Sequence, residues 1–200
     1  MIVIGVTGKY CAGKSTVSEI LAEHGYLQID VDRIGHEALQ SERDRVVEAF
    51  GPQICAPDGS IDRKALGRIV FGDARKLRQL ESIIHPAMVD RTAHVVRQVR
   101  EAGESNPSVP GAVINAAVLF RMKLDSLCDL VISVHAPFLS TWRRARERDG
   151  ASIVEVIRRL RAQRDVEPQC SRSDADIHRV ENDGDREKLR ARLTRLVPLP

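Results

Sequence analysis

The sequence has few aromatic residues, no closely spaced cysteines and no long apolar run. Aromatic residues make up 4% of the chain, so a platform of rings that stack on nucleic-acid bases is not expected. The four cysteines form no Cys-x-x-Cys pair, which argues against a zinc site or a disulfide framework and predicts a reducing, cytoplasmic location. No stretch of about 18 apolar residues is present, so no membrane span is expected. The histidines show no spacing typical of metal ligands.

Charge is distributed unevenly along a chain that has enough apolar residues for a sizeable core. Of the 200 residues, 42% are hydrophobic and 30% are charged, and the net charge is +3. The segment from Thr141 to Arg164 contains eight arginines and three acidic residues. It is either a solvated helix face or a clamp for phosphate groups, and its single aromatic residue, Trp142, argues against a nucleic-acid surface. We favour the clamp because a phosphate-binding pattern lies near the N-terminus.

That pattern is residues 8 to 16, GKYCAGKST, which match G-x-x-x-x-G-K-[ST]. In such a loop, backbone N–H groups surround the phosphates of a nucleotide, and the helix that follows points its positive end at them. Lys14 is expected to neutralise the β- and γ-phosphates of ATP, and the Ser15 hydroxyl to bind Mg²⁺. The predicted nucleotide contacts in this loop are Gly8, Cys11, Ala12, Gly13, Lys14, Ser15 and Thr16.

The residues around the loop support this interpretation. Residues 1–6 are a short apolar segment, typical of a buried parallel strand and not of a signal peptide. Val17, Ile20 and Leu21 then recur at helical spacing, and Gly25 is a typical helix stop. A glycine-rich turn without a ligand would not explain a lysine and a serine at the start of the helix.

The rest of the chain alternates short apolar segments with helical patterns, which predicts an α/β fold with a parallel sheet flanked by helices. Strands are predicted near residues 2–6, 26–30, 111–120, 130–134 and 177, and helices at 33–50, 62–70, 73–103 with a break or kink at Pro86, 137–148, 152–164 and 185–196. The nucleotide-binding core would comprise residues 1–32, 106–142 and 166–200. It would be interrupted by a helical insertion at 33–105 and an arginine-rich lid at 143–165. Helices that close over a phosphate site suit a small-molecule kinase, because they exclude water from phosphoryl transfer.

Two carboxylates follow the second predicted strand directly. Asp30 and Asp32 lie at its carboxyl end, the edge of a parallel sheet where ligands bind, and strand alternation would place them on one side. A carboxylate there can accept a proton from an attacking hydroxyl or hold Mg²⁺ through water. The alternative is a cap for the helix at 33–50. We favour a functional role, with Asp32 ahead of Asp30.

Taken in order, these motifs resemble those of the dephospho-CoA kinase family over nearly the whole chain. The phosphate loop is followed by Asp30-Val31-Asp32 with Arg33, Ile34 and His36, then by Phe50-Gly51, Asp58-Gly59 with Arg63, Val70-Phe71, Leu80-Glu81 and His85-Pro86, and then by Arg144 with Arg148-Asp149, Gln163, Ala175-Asp176 and Asn182-Asp183-Gly184. No block after the loop is very specific alone. Their order and spacing carry the resemblance.

The resemblance implies a P-loop kinase fold and a reaction in which ATP, with Mg²⁺, phosphorylates the ribose 3′-hydroxyl of dephospho-CoA to give coenzyme A. It implies that Asp32 is the catalytic base and that Arg144 and Arg148 act with Lys14 on the transferring phosphoryl group. Asn182 and Gly184 would lie near the adenine of ATP. The helical insertion would hold the substrate through Asp32, His36, Arg63, Phe71 and His85. The expected partner is this small molecule, without nucleic acid or membrane, in a monomer or small homo-oligomer.

Some positions depart from the family pattern, and some alternatives stay open. Ala117 and Arg121 stand where the family has proline and glutamate, the loop carries a bulky Tyr10 and Cys11, and the segment after Gln163 looks long. Phe71 could belong to a core, His85 could mark a helix break, and the Asn-Asp-Gly segment could be an ordinary turn. A related nucleotide or small-molecule kinase would use the same parts. A GTP-dependent switch is disfavoured because no Asn-Lys-x-Asp motif is present.

Overall fold

A computed structural model describes residues 1–105, 109–163 and 175–197, without the side chains of residues 104 and 105. The segment after Gln163 that looks long for the family, and Arg164, lie outside these residues. Five strands form one parallel sheet in the order β2-β3-β1-β4-β5. The strands are β1 (Ile2–Gly8), β2 (Leu27–Asp30), β3 (Gly111–Asn115), β4 (Leu130–His135) and β5 (Ile177–Glu181). The predicted parallel α/β fold is confirmed.

Eight α-helices are present among the described residues, together with 3₁₀ turns at Pro52–Ile54 and Leu124–Leu127. The helices are α1 (Lys14–Glu23), α2 (Val31–Ser41), α3 (Arg43–Phe50), α4 (Arg63–Val70), α5 (Ala74–Ser105), α6 (Phe138–Asp149), α7 (Ile153–Ala162) and α8 (Arg186–Thr194). None of these helices combines the length and apolar character needed to span a bilayer.

The chain divides into two compact units. The first comprises Met1–Asp30 and Val95–Pro200, and its core is formed by buried residues of β1, β3 and β4 with α1 and α8. Ile4, Ile20, Ile132 and Leu189 are fully buried there. The central strands β1, β3 and β4 are therefore mostly apolar and buried, as strands covered by helices on both faces require, whereas the edge strands β2 and β5 carry polar residues.

The second unit, Val31–His94, is helical and has its own core, which includes Val46, Phe50, Ile54 and Leu66. Asp62 caps α4 by accepting hydrogen bonds from the backbone N–H groups of Lys64 and Ala65, as its position in the sequence predicted. The predicted insertion at 33–105 has different bounds from this unit, and the predicted lid at 143–165 falls within the first unit. The functional division into substrate domain and lid stays a prediction.

Three predicted elements differ from the structure. Pro86 lies inside α5, which continues as one helix, so the predicted alternative of a helix break is wrong; the proline has no N–H to donate to the carbonyl of Ser82. The strand predicted at 111–120 ends at Asn115, and the apolar residues after it form turns. The helix predicted at 33–50 is two helices that meet at Glu42, the first of which begins at Val31.

Candidate functional site

The phosphate loop connects β1 to α1, and its two motif glycines are required by close neighbours. Gly8 passes so near β4 that a Cβ there would lie 2.4 Å from the carbonyl oxygen of Val134. Gly13 has φ +100°, and a Cβ there would lie 1.9 Å from Nδ2 of Asn182. Both distances are far shorter than any real contact. These positions therefore exclude a larger residue for steric reasons as well as conformational ones.

The side chains of Asn182 and Arg144 bind backbone carbonyl groups of the loop, and we call this pair the loop clip. Asn182 is buried, and its Nδ2 donates to the carbonyl of Ala12 at 3.0 Å. Arg144 Nη1 donates to the carbonyls of Cys11 and Ala12, both at 3.2 Å, and Nη2 donates to Asn182 Oδ1 at 2.9 Å. Oδ1 of Asn182 also accepts from the N–H of Gly184. The clip thus fixes which way the loop carbonyls point.

Arg144 carries an electrostatic cost in this position. Burial lowers the pKa of its guanidinium, and the neighbouring charge of Arg143 lowers it further. An arginine stays protonated even so. Its charge is therefore kept beside the loop, where it is satisfied by main-chain oxygens.

A cavity of about 420 Å³ lies along the loop and the start of α1. It is lined by Cys11, Gly13, Lys14, Ser15, Thr16, Arg144, Glu147 and Arg148. The structure therefore brings together five of the predicted loop contacts and both predicted lid arginines. A lysine, two arginines and a helix N-terminus outweigh the single glutamate, so the cavity suits an anionic ligand such as a polyphosphate.

Lys14 and Ser15 both line this cavity, but they differ in their contacts. Lys14 Nζ donates to the carbonyls of Gly8 at 3.0 Å and Lys9 at 3.3 Å, so it folds back over the loop. Ser15 is exposed. Among the described residues no group of three or more His, Cys, Asp and Glu side chains is arranged to hold a metal. One hydroxyl beside a polyphosphate cavity fits Mg²⁺, which keeps several waters and binds through phosphate oxygens.

Tyr10 is the bulky residue of the loop, and it contacts the arginine-rich helices α6 and α7. Its hydroxyl donates to Asp149 and accepts from Arg159 Nη1 at 2.5 Å, and its backbone N–H donates to Gln163 Oε1 at 2.6 Å. Arg148 donates to both oxygens of Asp149, at 2.9 and 3.0 Å. We call Tyr10, Arg148, Asp149 and Arg159 the Tyr10 network. The family pattern named Arg148 and Asp149, but no motif predicts their contact with Tyr10.

The second unit contains a larger cavity of about 950 Å³. Its lining combines apolar Leu39, Leu66, Val70, Leu80 and Phe71 with basic Arg63, Lys64 and Arg68, together with His36 and Gly67. Three of the predicted substrate contacts therefore share this cavity. Predicted contact His85 is half-buried on α5 and is not among the lining residues.

Two side chains in this cavity are informative. Phe71 is 83% exposed, so the alternative that it belongs to a core is wrong. Arg63 Nη1 lies 2.7 Å from His36 Nε2. A guanidinium can only donate, so Nε2 is the acceptor in this contact. The two predicted substrate contacts are thereby joined in one hydrogen bond.

The two aspartates after the second strand do not follow strand alternation. Asp30 is the last residue of β2, whereas Asp32 lies in the first turn of α2. The prediction that alternation places them on one side is wrong, because the chain becomes helical at Val31. Asp32 is exposed within the first turn, and so is not the cap of a helix that starts at residue 33. A carboxylate in a first turn is stabilised by the helix dipole.

Comparison with known proteins gives one consistent result. The chain matches the family model described as dephospho-CoA kinase over residues 2–187. It is 39% identical over 196 residues to the dephospho-CoA kinase of Geobacter sulfurreducens, covering 96% of this chain and 95% of the relative.

Among solved structures, TT1252 from Thermus thermophilus has a TM-score of 0.73 and 30% identity, covering 98% of this chain and 95% of that one. The dephospho-CoA kinase of Campylobacter jejuni has a TM-score of 0.59 at 24% identity, covering 97% of this chain and 94% of that one, and supports the fold alone.

We predict that Gly13→Ala weakens ATP binding while the protein stays folded. The new methyl group would collide with Asn182 at a backbone conformation that alanine rarely adopts. Such strain is typically about 1–3 kcal/mol, which corresponds to about 5- to 150-fold in affinity. Isothermal titration calorimetry with ATP measures the change.

Gly59→Ala is the matched control for this variant. Gly59 has φ +81°, but the nearest heavy atom to its Cβ is Arg43 Nη2 at 4.0 Å. It therefore carries the conformational strain without the collision, and ATP affinity should not change. An ATP affinity of Gly13→Ala close to that of the unsubstituted protein would show that the loop does not depend on its contact with Asn182.

Proposed function

Because this chain belongs to the dephospho-CoA kinase family, we propose that it transfers the γ-phosphoryl group of ATP to the ribose 3′-hydroxyl of dephospho-CoA, giving coenzyme A and ADP. The observation that carries the proposal in the structure is the basic cavity on the phosphate loop, where Lys14, Ser15 and Arg148 line one space. A related small-molecule or nucleotide kinase is the alternative, and the family match favours the coenzyme A enzyme.

In this proposal the loop and its clip bind the triphosphate. The loop N–H groups and the N-terminus of α1 face the β- and γ-phosphates, and Lys14 exchanges its two carbonyl acceptors for phosphate oxygens. Arg148 stabilises the charge that develops on the transferring group. Arg144 acts first by holding the loop carbonyls, as its hydrogen bonds indicate. Asn182 and Gly184 would shape the adenine site through the same clip.

A bound Mg²⁺ would neutralise charge on the phosphates, and the Ser15 hydroxyl is the side chain proposed to hold it. We propose that Asp32 accepts the proton of the ribose hydroxyl as the oxygen attacks the γ-phosphorus. Its carboxylate is exposed in the first turn of α2, where an incoming hydroxyl can reach it. The phosphoryl group then moves to the 3′-oxygen, and ADP leaves.

The cavity of the second unit fits the chemistry of the acceptor. Dephospho-CoA carries a pyrophosphate, an adenosine and a long, weakly polar pantetheine arm. Arg63, Lys64 and Arg68 offer cations for the pyrophosphate, while Leu39, Leu66, Val70 and Phe71 offer apolar surface for the arm or the base. We propose this cavity as part of the acceptor site, with His36 orienting Arg63 and His85 as a further contact outside the cavity lining.

We further propose that the enzyme works in the cytoplasm, as a monomer or small homo-oligomer, without nucleic acid or a membrane. Cys11, Cys55 and Cys128 are free thiols, which suits a reducing compartment. Burial raises the pKa of the Cys128 thiol to about 12, so this cysteine stays neutral and unreactive.

The first test is substrate choice. Purified protein with MgATP should release ADP rapidly with dephospho-CoA and slowly with nucleosides, nucleoside monophosphates or shikimate, measured by a coupled ADP assay. Mass spectrometry should show a single phosphate added to dephospho-CoA. Efficient turnover of a nucleotide, with none of dephospho-CoA, would favour the alternative kinase.

Asp32→Asn should reduce kcat by about 10²- to 10⁴-fold, because the amide cannot accept the ribose proton. ATP binding should be nearly unchanged, since the phosphate cavity does not include this residue. Steady-state kinetics and calorimetry separate these effects. Asp44→Asn, an exposed carboxylate on a neighbouring helix of the same unit, is the matched control and should retain full activity. Full activity of Asp32→Asn would exclude its role as base.

Phe71→Ala should raise KM for dephospho-CoA about 10- to 100-fold, because covering a phenylalanine ring is typically worth about 1.5–3 kcal/mol. KM for ATP should stay constant, and Phe71→Leu should recover part of the loss. Val154→Ala, which truncates another highly exposed apolar residue, should change neither constant. A change in KM for ATP, with KM for dephospho-CoA unchanged, would show that Phe71 does not belong to the acceptor site.

A further inference from the structure

The Tyr10 network links the phosphate loop to Arg148, which lines the cavity on that loop. Asp149 lies at its centre, because it accepts from Tyr10, Arg159 and both Arg148 nitrogens Nε and Nη2. The guanidinium groups of Arg148 and Arg159 also lie over the Tyr10 ring, 5.2 and 4.7 Å from its centroid. Arg148 is therefore held at two places, through a two-point contact with a carboxylate and through the face of a ring.

This restraint matters because Arg148 lines the phosphate cavity and is largely exposed. An exposed arginine samples many rotamers, and ordering it on a ligand costs conformational entropy. A planar guanidinium bound along one edge by a carboxylate has its orientation set before any ligand arrives. Preorganised charge is what stabilises a developing phosphoryl charge most effectively.

The charges in the network favour a permanent contact. The hydrogen bonds of Arg148, then those of Tyr10 and Arg159, hold the pKa of Asp149 well below its usual range, so the carboxylate is ionised at any physiological pH. Burial and the contact with Asp149 raise the pKa of Tyr10, which keeps its hydroxyl protonated and able to donate. Arg159 also forms an ion pair with Asp149, so its positive charge balances the carboxylate.

We propose that Tyr10 is a positioning residue of the nucleotide site: through Asp149 and its own ring, it holds Arg148 in the orientation that receives the phosphates of ATP. The proposal rests on the proposed function, in which Arg148 contacts phosphate. It assigns a task to a loop position that the phosphate-loop pattern leaves open. It also gives the contact between loop and arginine-rich helices a catalytic purpose, beyond packing.

A double-mutant cycle tests whether Tyr10 acts through Arg148. The variants are Tyr10→Phe, which removes the hydroxyl and keeps the ring, Arg148→Met, and the two combined. Tyr10→Phe alone should weaken MgATP binding or lower kcat by about threefold to tenfold, the usual effect of one charge-assisted hydrogen bond at a partly exposed site. With Arg148→Met already present, Tyr10→Phe should change either quantity less than about twofold.

Two further variants separate positioning from packing. Asp149→Asn keeps the shape of the link but removes its charge, and it should reproduce the loss seen in Tyr10→Phe and also depend on Arg148. Tyr26→Phe removes the hydroxyl of the other tyrosine, which is buried in the core, and should leave affinity unchanged. Equal effects of Tyr10→Phe with and without Arg148, or no effect at all, would overturn the proposal.

The result can be told apart from a failure of the proposed function. ATP affinity is measured by calorimetry without any acceptor, so the cycle gives an answer even if dephospho-CoA is not a substrate. If dephospho-CoA is turned over and the cycle shows no coupling, the positioning role alone is wrong. Thermal unfolding of each variant shows whether a loss of affinity reflects a loss of folded protein.

Discussion

The loop clip is the interaction on which the nucleotide site depends. A phosphate loop works only if its N–H groups point inward and its carbonyls point away, and flexible glycines do not impose this. Asn182 and Arg144 impose it from outside by binding the carbonyls of Cys11 and Ala12. Arg144 lies in α6, and Asn182 directly follows β5. The conformation of the loop therefore depends on two segments of the first unit that come much later in the chain.

The two cavities differ in the kind of ligand that their linings suit. The cavity on the phosphate loop is the smaller one and is dominated by cations and a helix N-terminus, so its lining suits an anionic group. The cavity of the second unit is larger and combines leucines, a valine and an exposed phenylalanine with three basic residues. A kinase needs this division of labour, because the triphosphate is common to all such enzymes and only the acceptor distinguishes one from another.

What could be predicted from the sequence was mainly local. The phosphate loop, its strand and helix, and the cap at Asp62 depend on residues close together in the chain, and they were predicted correctly. A helix break at Pro86 was misjudged, because one missing hydrogen bond does not end a helix of 32 residues. The side of the sheet shared by Asp30 and Asp32 was misjudged because the strand ends at Asp30, two residues earlier than alternation requires.

The contacts that build the site could not be predicted in the same way. The clip joins Ala12 to Asn182, and the Tyr10 network joins the loop to α6 and α7, so both appear only when distant segments are folded together. The family resemblance pointed to Arg144, Arg148 and Asn182 as site residues. It did not show that Arg144 and Asn182 bind the loop itself. The exposure of Phe71 was likewise hidden, because an aromatic residue at the end of a helix is usually buried.

That exposure has a thermodynamic consequence. A ring that is 83% exposed keeps ordered water around it at the expense of stability. A ligand that covers the ring releases this water, and the release of water from apolar surface lowers the heat capacity of the complex. The affinity for a ligand that covers this ring would therefore pass through a maximum with temperature.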